Sequence, residues 1–197
     1  MSETIETELK LMLTQKQFNQ LLSAYTLKKT IRQTNYYFDS KEACLKNANC
    51  GLRIRQFKNT GEQTLKVPLP NNTTHSLREI TDPLPLTKIQ KMLSKNTVTF
   101  PGKVGEYLEN HFKDESFYQL TQAHTHRYLL NGPKNIELTL DQTDYLDETR
   151  DYELEIETDR LKDAKETMEF LKETFNLTST IPQKNKVARA FDHRSLN

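Results

Sequence analysis

The sequence predicts an α+β fold: about eight strands in a barrel or a strongly curved sheet, with helices packed outside. Two observations support this class. Short stretches of alternating character recur along nearly the whole 197-residue chain, each bounded by turn-forming residues. Between them, apolar residues recur at helical spacing, as in Leu161, Ala164, Met168, Leu171 and Phe175. The alternation also has a particular character. Glu6, Glu8 and Lys10 alternate with Ile5, Thr7, Leu9 and Leu11; Arg53 and Arg55 flank Ile54; Glu153, Glu155 and Glu157 alternate with Leu154 and Ile156. Strand side chains alternate with period two, so each stretch has one face made only of charge.

In chain order, Glu3 to Leu13 reads as the first strand. Thr14 and Gln17 form a capping box, and Phe18, Leu21, Leu22 and Tyr25 give the following helix its apolar stripe. Thr30 to Asp39 is the second strand, and its Tyr36, Tyr37 and Phe38 read as core aromatics. Ser40 to Asn49 is a loop or a short helical turn. Gly51 to Lys58 and Gln63 to Val67 make a hairpin across Asn59-Thr60-Gly61. Pro68, Pro70 and Asn71 to Thr74 form a turn before a strand over His75 to Thr81, which Pro83 and Pro85 close. Thr87 to Leu93 and Lys103 to Phe112 are helices separated by Pro101-Gly102. Strands follow at Tyr118 to Leu130, Asn135 to Asp141 and Tyr145 to Thr158, with turns at Asn131-Gly132-Pro133 and Asp147 to Asp151. The amphipathic helix from Leu161 and a last helix from Val187 complete the chain. No repeat and no long linker divides it, so residues 1–197 read as a single domain.

Composition excludes several function classes. A net charge of +1 gives no overall field toward nucleic acid or anionic membrane. No apolar run approaches the ~20 residues that span a bilayer, and the N-terminus opens with acids rather than a basic, greasy signal. Cys44 and Cys50 lack partners at zinc spacing and read as free thiols of a reducing cytosol, which gives a cytoplasmic expectation. There is no G-x-x-x-x-G-K-[ST], and only 5 glycines, so any phosphate binding must be done by side chains. His124 and His126 share a strand face without a third ligand and read as surface or packed histidines. Asp147-Glu148 reads as a solvated turn.

The apolar partners on the charged strands, Ile5, Leu9, Leu11, Ile54, Leu154 and Ile156, need cover, which the amphipathic helices supply. The charged faces then point away from the helices, into the lumen if the sheet closes. Other residues share that geometry: Lys66 between Leu65 and Val67; Glu137, Thr139 and Asp141 opposite Ile136, Leu138 and Leu140; Arg127 on the preceding strand; Lys184 and Lys186 beside the last helix. Acids and bases in one interior are costly unless paired or coordinating ions. The pattern therefore suggests a polyanion with divalent metal ions.

Glu6-Thr7-Glu8-Leu9-Lys10 fits an E-x-E-x-K pattern. Tyr37-Phe38-Asp39, Leu52-Arg53-Ile54-Arg55, Leu65-Lys66, Arg127, Leu140-Asp141, Tyr152-Glu153-Leu154-Glu155-Ile156-Glu157 and Lys184-Asn185-Lys186 follow it in order. Together these residues resemble the CYTH family, the triphosphate tunnel metalloenzymes, over nearly the whole chain and in its YjbK-like bacterial branch. The resemblance implies an eight-stranded antiparallel β-barrel that binds a linear triphosphate lengthwise and hydrolyses it with Mg²⁺ or Mn²⁺, as two ions. By matching, Lys10, Arg53, Arg55, Lys66, Arg127, Lys184 and Lys186 bind phosphate oxygens, and Glu6, Glu8, Glu79, Asp141, Glu153 and Glu155 hold metal. Lys10, Glu155 and Arg55 are the expected catalytic set. Arg78 beside Glu79 blurs which of the two points inward, and Glu157 has the inward parity at the tunnel mouth.

The expected partner is thus a small-molecule triphosphate, tripolyphosphate or an organic one, acted on by a monomer or homodimer. Two alternatives stay open: an adenylate cyclase of the same family, and a non-catalytic polyphosphate or nucleotide binder. The loops Ser40 to Asn49 and Asn71 to Thr74 are expected to border the tunnel.

Overall fold

The computed structural model describes residues 2–69, 76–157, 160–178 and 184–193. Its strands are β1 (Ser2–Leu13), β2 (Thr26–Asp39), β3 (Gly51–Gln56), β4 (Gly61–Pro68), β5 (Ser76–Leu84), β6 (Tyr118–Asn131), β7 (Glu137–Tyr145) and β8 (Arg150–Glu157). The helices are α1 (Gln15–Ala24), α2 (Cys44–Asn47), α3 (Leu86–Leu93), α4 (Gly102–His111), α5 (Leu161–Phe175) and α6 (Lys186–Asp192). The strands close into one barrel in the order β1-β5-β4-β3-β2-β6-β7-β8, antiparallel throughout. β1 makes the closure by dividing its length, residues 2–7 pairing with β5 and residues 8–13 with β8. Among the described residues, no helix is long and apolar enough to cross a membrane.

Alternation along the strands sends the apolar side chains outward into two cores. Leu11, Leu13, Leu138, Leu140, Leu154 and Ile156 meet Phe18 and Leu21 of α1 and Ala164, Met168 and Leu171 of α5. On the opposite wall, Leu52, Ile54, Leu65 and Ile80 meet Ile89 and Met92 of α3 and Val104 and Leu108 of α4. Each fully buried Leu or Ile contributes about 1.5–3 kcal/mol, and a one-residue slip would drive a charged face into these cores. The cores therefore fix which residues face the lumen.

The sixth helix sits differently. Ala190 packs with Tyr37, Ala123 and Tyr145, which have the inward parity, and Thr121 donates a hydrogen bond to the Ala190 carbonyl at 3.1 Å. Asn185 caps the helix by accepting from the Ala188 N–H at 2.8 Å. Thus α6 stands against the inner side of the β2-β6-β7 wall.

Most elements fall where the sequence places them, including the Thr14–Gln17 capping box. Some boundaries move for identifiable reasons. β2 starts at Thr26, four residues before the expected Thr30, because β6 alone pairs its first part, with a register shift between Leu27 and Lys29. β5 runs through Pro83 to Leu84 rather than closing before it. Pro83 lies beyond Thr81, the last β1 partner among the described residues, so of these β4 alone pairs with it, and its missing N–H breaks no described β1 ladder. Tyr145 ends β7 instead of opening β8. The turn is Leu146 to Thr149, closed by Tyr145 N–H to the Thr149 carbonyl at 3.0 Å with Glu148 at φ +64°. Asn135, expected to open a strand, instead ends a 3₁₀ turn over Pro133–Asn135. The Asn71 to Thr74 loop lies outside the described residues.

Asp39 organises the Ser40 to Asn49 segment. Its carboxylate accepts from the backbone N–H groups of Ser40, Leu45 and Lys46 at 2.8, 2.9 and 3.0 Å, which builds the short α2. At the tip of the β3-β4 hairpin, Gly61 passes under α3. A Cβ there would lie 2.2 Å from Ile89 Cδ1 and 2.7 Å from the Arg55 carbonyl oxygen. Because a backbone atom is one of the two, Gly61→Ala is expected to lower stability by about 1–3 kcal/mol, read as a shifted urea midpoint at unchanged slope.

Candidate metal and anion site in the barrel lumen

Parity and register bring the charged strands together. Lys10 stands opposite Glu155, Lys66 opposite Glu79, Arg127 opposite Asp141, and Asp141 opposite Glu153. Arg53 and Arg55 face inward because Leu52 and Ile54 between and beside them are fully buried in the outer core. Glu79 is the inward residue of its pair. Arg78 points outward, ion-pairs with Glu3 at 2.7 Å and lies over the Tyr107 ring at 5.6 Å.

The centre of the site is a carboxylate triad. Ligand oxygens of Asp141, Glu153 and Glu155 lie within 4.8 Å of one another. Lys186, the first residue of α6, places its ammonium among them, at 2.8 Å from Asp141 and 2.9 Å from Glu153, and it also donates to Glu155. Arg127 grips Asp141 with both arms, Nε at 2.8 Å and a terminal nitrogen at 2.7 Å, and reaches Glu155 at 2.8 Å. Arg189 binds Glu153 at 2.6 Å and Asp151 at 2.7 Å.

Burial by itself would push the carboxyls of Asp141 and Glu155 up. The charges of Lys186 and then Arg127 outweigh it and hold both below their ordinary values, Glu155 far below. The same exchange acts on the cations: burial would lower Lys186, and Asp141, Glu153 and Glu155 raise it well above its usual value.

A second group lies farther along the lumen. Lys66 pairs with Glu79 at 3.3 Å and approaches Glu8 at 4.0 Å, and Lys10 pairs with Glu8 at 3.2 Å. Glu157 belongs to this end; partial burial pushes its carboxyl up, and Glu79, Glu8 and Glu155 add to that against Lys66. Arg55 donates to Asn35 at 3.1 Å and to Glu62 at 3.0 Å, and burial, with help from Arg53 and Arg127, lowers it to about 10. Arg53 differs, because its Nε is buried with no hydrogen-bond partner among the described residues. Glu6 lies on β1 opposite Leu77, and its side chain is outside the described residues. Lys184 is not brought in: its ammonium pairs with Asp192 at 2.7 Å on the outside, 54% exposed, and only its carbonyl turns toward Arg189. His124 and His126 lie on the outer wall, on Thr34 at 3.0 Å and Tyr128 at 2.8 Å.

Residues 4–191 match the family described as the CYTH domain. The chain belongs to the CYTH domain family. It is 30% identical over 203 residues, 98% of each protein, to "Putative triphosphatase YjbK" of Bacillus subtilis (strain 168). A solved structure from Bacillus halodurans, a "putative adenylate cyclase", is 27% identical, covers 97% of this chain and all of its own, and superposes with a TM-score of 0.84. The Hippeastrum protein "Putative adenylyl cyclase HpAC1", described with a dominant triphosphatase activity, shares the fold at 20% identity, a TM-score of 0.80 and 97% coverage of each chain.

Within this CYTH chain, sequence reasoning missed Arg189, Asp151, Asn35 and Glu62. Arg189 follows Lys186 by three residues, the spacing that shares a helix face, and Asp151 has the parity of Glu153. Asn35 sits on β2 beside neutral residues, and nothing in its local pattern marks it as the Arg55 acceptor.

The triad yields a prediction about pH. Asp141 and Glu155 have folded-state pKa values below their unfolded ones, so their contribution is complete above the unfolded values near pH 4 and is lost as pH falls through the folded ones. Lys186→Met removes a partner from buried carboxylates and is expected to cost about 3 kcal/mol at pH 7. Denaturant titrations at pH 7 and pH 4 should show the gap to wild type narrowing at the lower pH, where protonation relieves the unpaired acids.

Proposed function

We propose that this CYTH protein is a Mg²⁺- or Mn²⁺-dependent hydrolase of linear triphosphates, taking inorganic tripolyphosphate or an organic triphosphate. One observation carries the reading: the lumen places a carboxylate triad directly beside a row of Lys and Arg side chains contributed by β1, β3, β4, β6 and α6. The donor set fits the metals, since Asp141, Glu153 and Glu155 offer hard oxygens within 4.8 Å of one another. Glu6, Glu8 and Glu79 would complete the metal-holding set. When bound, divalent ions supply charge neutralisation of phosphate oxygens and a more acidic attacking water.

The remaining work falls to the chain's own residues. Lys10, Arg53, Arg55, Lys66, Arg127 and Lys186 bind and align the phosphate oxygens. Arg53 is set for this role, because its buried Nε has no hydrogen-bond partner among the described residues and an anionic oxygen would satisfy it. Lys10, opposite Glu155 across the β1-β8 ladder, stands at the boundary of the acidic and basic groups, where the transferred phosphoryl would lie. Water attacks the terminal phosphorus, the bond to the bridging oxygen breaks, and the charge that develops on the departing diphosphate is held by Arg55 and its basic neighbours. Lys184, turned outward, is assigned a role in shaping the approach to α6 through its carbonyl rather than a phosphate contact.

A second reading has a specific support: the Bacillus halodurans likeness, 27% identical, carries the name "putative adenylate cyclase". The same lumen could activate the ribose hydroxyl of ATP instead of water, giving cyclic AMP and diphosphate.

Purified protein with Mg²⁺ or Mn²⁺ is expected to release phosphate from tripolyphosphate. Glu155→Gln should reduce kcat by ~100-fold or more, the scale of removing an electrostatic group from such a site. Arg53→Ala should act mainly on KM, because its guanidinium contributes binding before the bond breaks. Chromatography of ATP reactions decides between the readings. Cyclic AMP as the main product, with tripolyphosphate left intact, would replace the hydrolase with the cyclase.

A further inference from the structure

We infer that Arg189 is a positioning residue for the acidic triad, acting through Glu153; the inference rests on the proposed reading that the triad holds a divalent cation. Arg189 is 5% exposed and is satisfied on every nitrogen. One terminal nitrogen donates to Glu153 Oε2 at 2.6 Å; the other reaches Glu153 Oε1 at 3.5 Å and the Lys184 carbonyl at 2.6 Å. Its Nε donates to Asp151 at 2.7 Å and contacts the Tyr145 hydroxyl at 3.2 Å. Tyr145 in turn donates to Asp151 at 2.6 Å, so the three close a ring around the guanidinium.

Two features separate Arg189 from the other cations of the site. Lys186 contacts all three triad carboxylates, and Arg127 contacts two. Arg189 ion-pairs with Glu153 but, among the described residues, with neither Asp141 nor Glu155. A cation could therefore take the place of the Lys186 ammonium among the carboxylates while Arg189 stays where it is. Arg189 also ties the two sides of the site together. Glu153 and Asp151 belong to β8, and the Lys184 carbonyl belongs to the segment that leads into α6. One planar fork thus fixes the rotamer of a triad member and the seat of the helix that bears Lys186. A lysine keeps the charge but cannot reproduce the fork.

The consequence is a change in metal affinity without any direct contact between Arg189 and the metal. Partners of this kind, one shell behind the ligands, change affinity by ~10–100-fold when removed. The test is Mn²⁺ titration of the full chain without substrate, followed by the electron paramagnetic resonance signal of free Mn²⁺ and by calorimetry. Arg189→Met is expected to weaken binding by ~10–100-fold, with Arg189→Lys between it and wild type. The double variant Arg189→Met/Glu153→Gln should bind no more weakly than Glu153→Gln alone, since both act through the same carboxylate. A lower melting temperature with wild-type Mn²⁺ affinity would overturn the positioning role, as would a double variant that shows the full product of the two single losses. If Arg189→Met does not fold, Arg189→Lys decides, and wild-type affinity in that variant overturns the inference. Glu155→Gln is the control on the underlying reading. Undiminished Mn²⁺ binding in that variant would show that the triad is not the metal site, and would remove the triad assignment and this inference together.

Discussion

Three carboxylates, two buried and one half-buried, whose oxygens lie within 4.8 Å of one another set the terms for the rest of this barrel. Each pair of full charges at that distance repels by about 3 kcal/mol at an effective dielectric of about 20. With Asp141 and Glu153 fully buried, water cannot do the screening. The structure answers with three cations from two elements: Arg127 from β6, and Lys186 and Arg189 from α6. This explains why a helix of only seven residues at the end of the chain packs against inward-facing Tyr37, Ala123 and Tyr145 rather than joining the outer layer. The helix supplies charge the triad requires, and the triad supplies the anchor that so short a helix could not find in apolar contacts alone.

The outer layers serve the same end by holding parity. Phe18, Leu21, Met168 and Leu171 cover one wall, and Ile89, Met92, Val104 and Leu108 cover the other. Neither core lines the lumen, yet both decide what does, because a strand can bury Leu154 and Ile156 outside only by turning Glu153 and Glu155 inside. β1 then carries a double duty. Its two halves pair with different neighbours, so the strand that closes the barrel also sets Lys10 against Glu155 and brings Glu8 to Lys66.

Much of this was legible in the sequence because period-two alternation of charge and apolar character is a strong local signal. Arg53, Glu153 and Glu155 lie between apolar neighbours, Arg55 and Asp141 each follow one, and each faces inward for that reason. Glu79 was ambiguous because Arg78 beside it is equally charged; the long-range pairing of Arg78 with Glu3 and its place over Tyr107 settle the direction. Three things were not legible. Pro83 gave a local stop signal, yet the strand continues along β4, beyond its last β1 partner among the described residues. Lys184 and Lys186 look equivalent in a K-x-K, but the cap at Asn185 starts the helix between them and sends their side chains to opposite sides. Arg189 lies in a short helix whose burial inside the barrel no local pattern announces.

The pairing also couples the two halves of the lumen thermodynamically. Asp141, Glu155, Lys186 and Arg127 neutralise one another in the structure, so an anion that recruits Lys186 and Arg127 leaves carboxylates without counter-charge. That exposure costs several kcal/mol, more than a single surface-strength ion pair returns. An anion arriving alone is therefore disfavoured, and so is a divalent cation that displaces Lys186 without an anion to receive it. Under the proposed function, a polyanion and its divalent cations resolve both deficits in one event, each raising the affinity for the other by the same factor. Lys10 and Lys66, paired with Glu8 and Glu79, repeat this logic farther along the lumen. Under the proposed function, a linear triphosphate would engage both groups, whereas a single phosphate would break pairs at one end and leave the other unchanged. On the same reading, selectivity for a chain of phosphates would follow from the way the lumen pairs its charges.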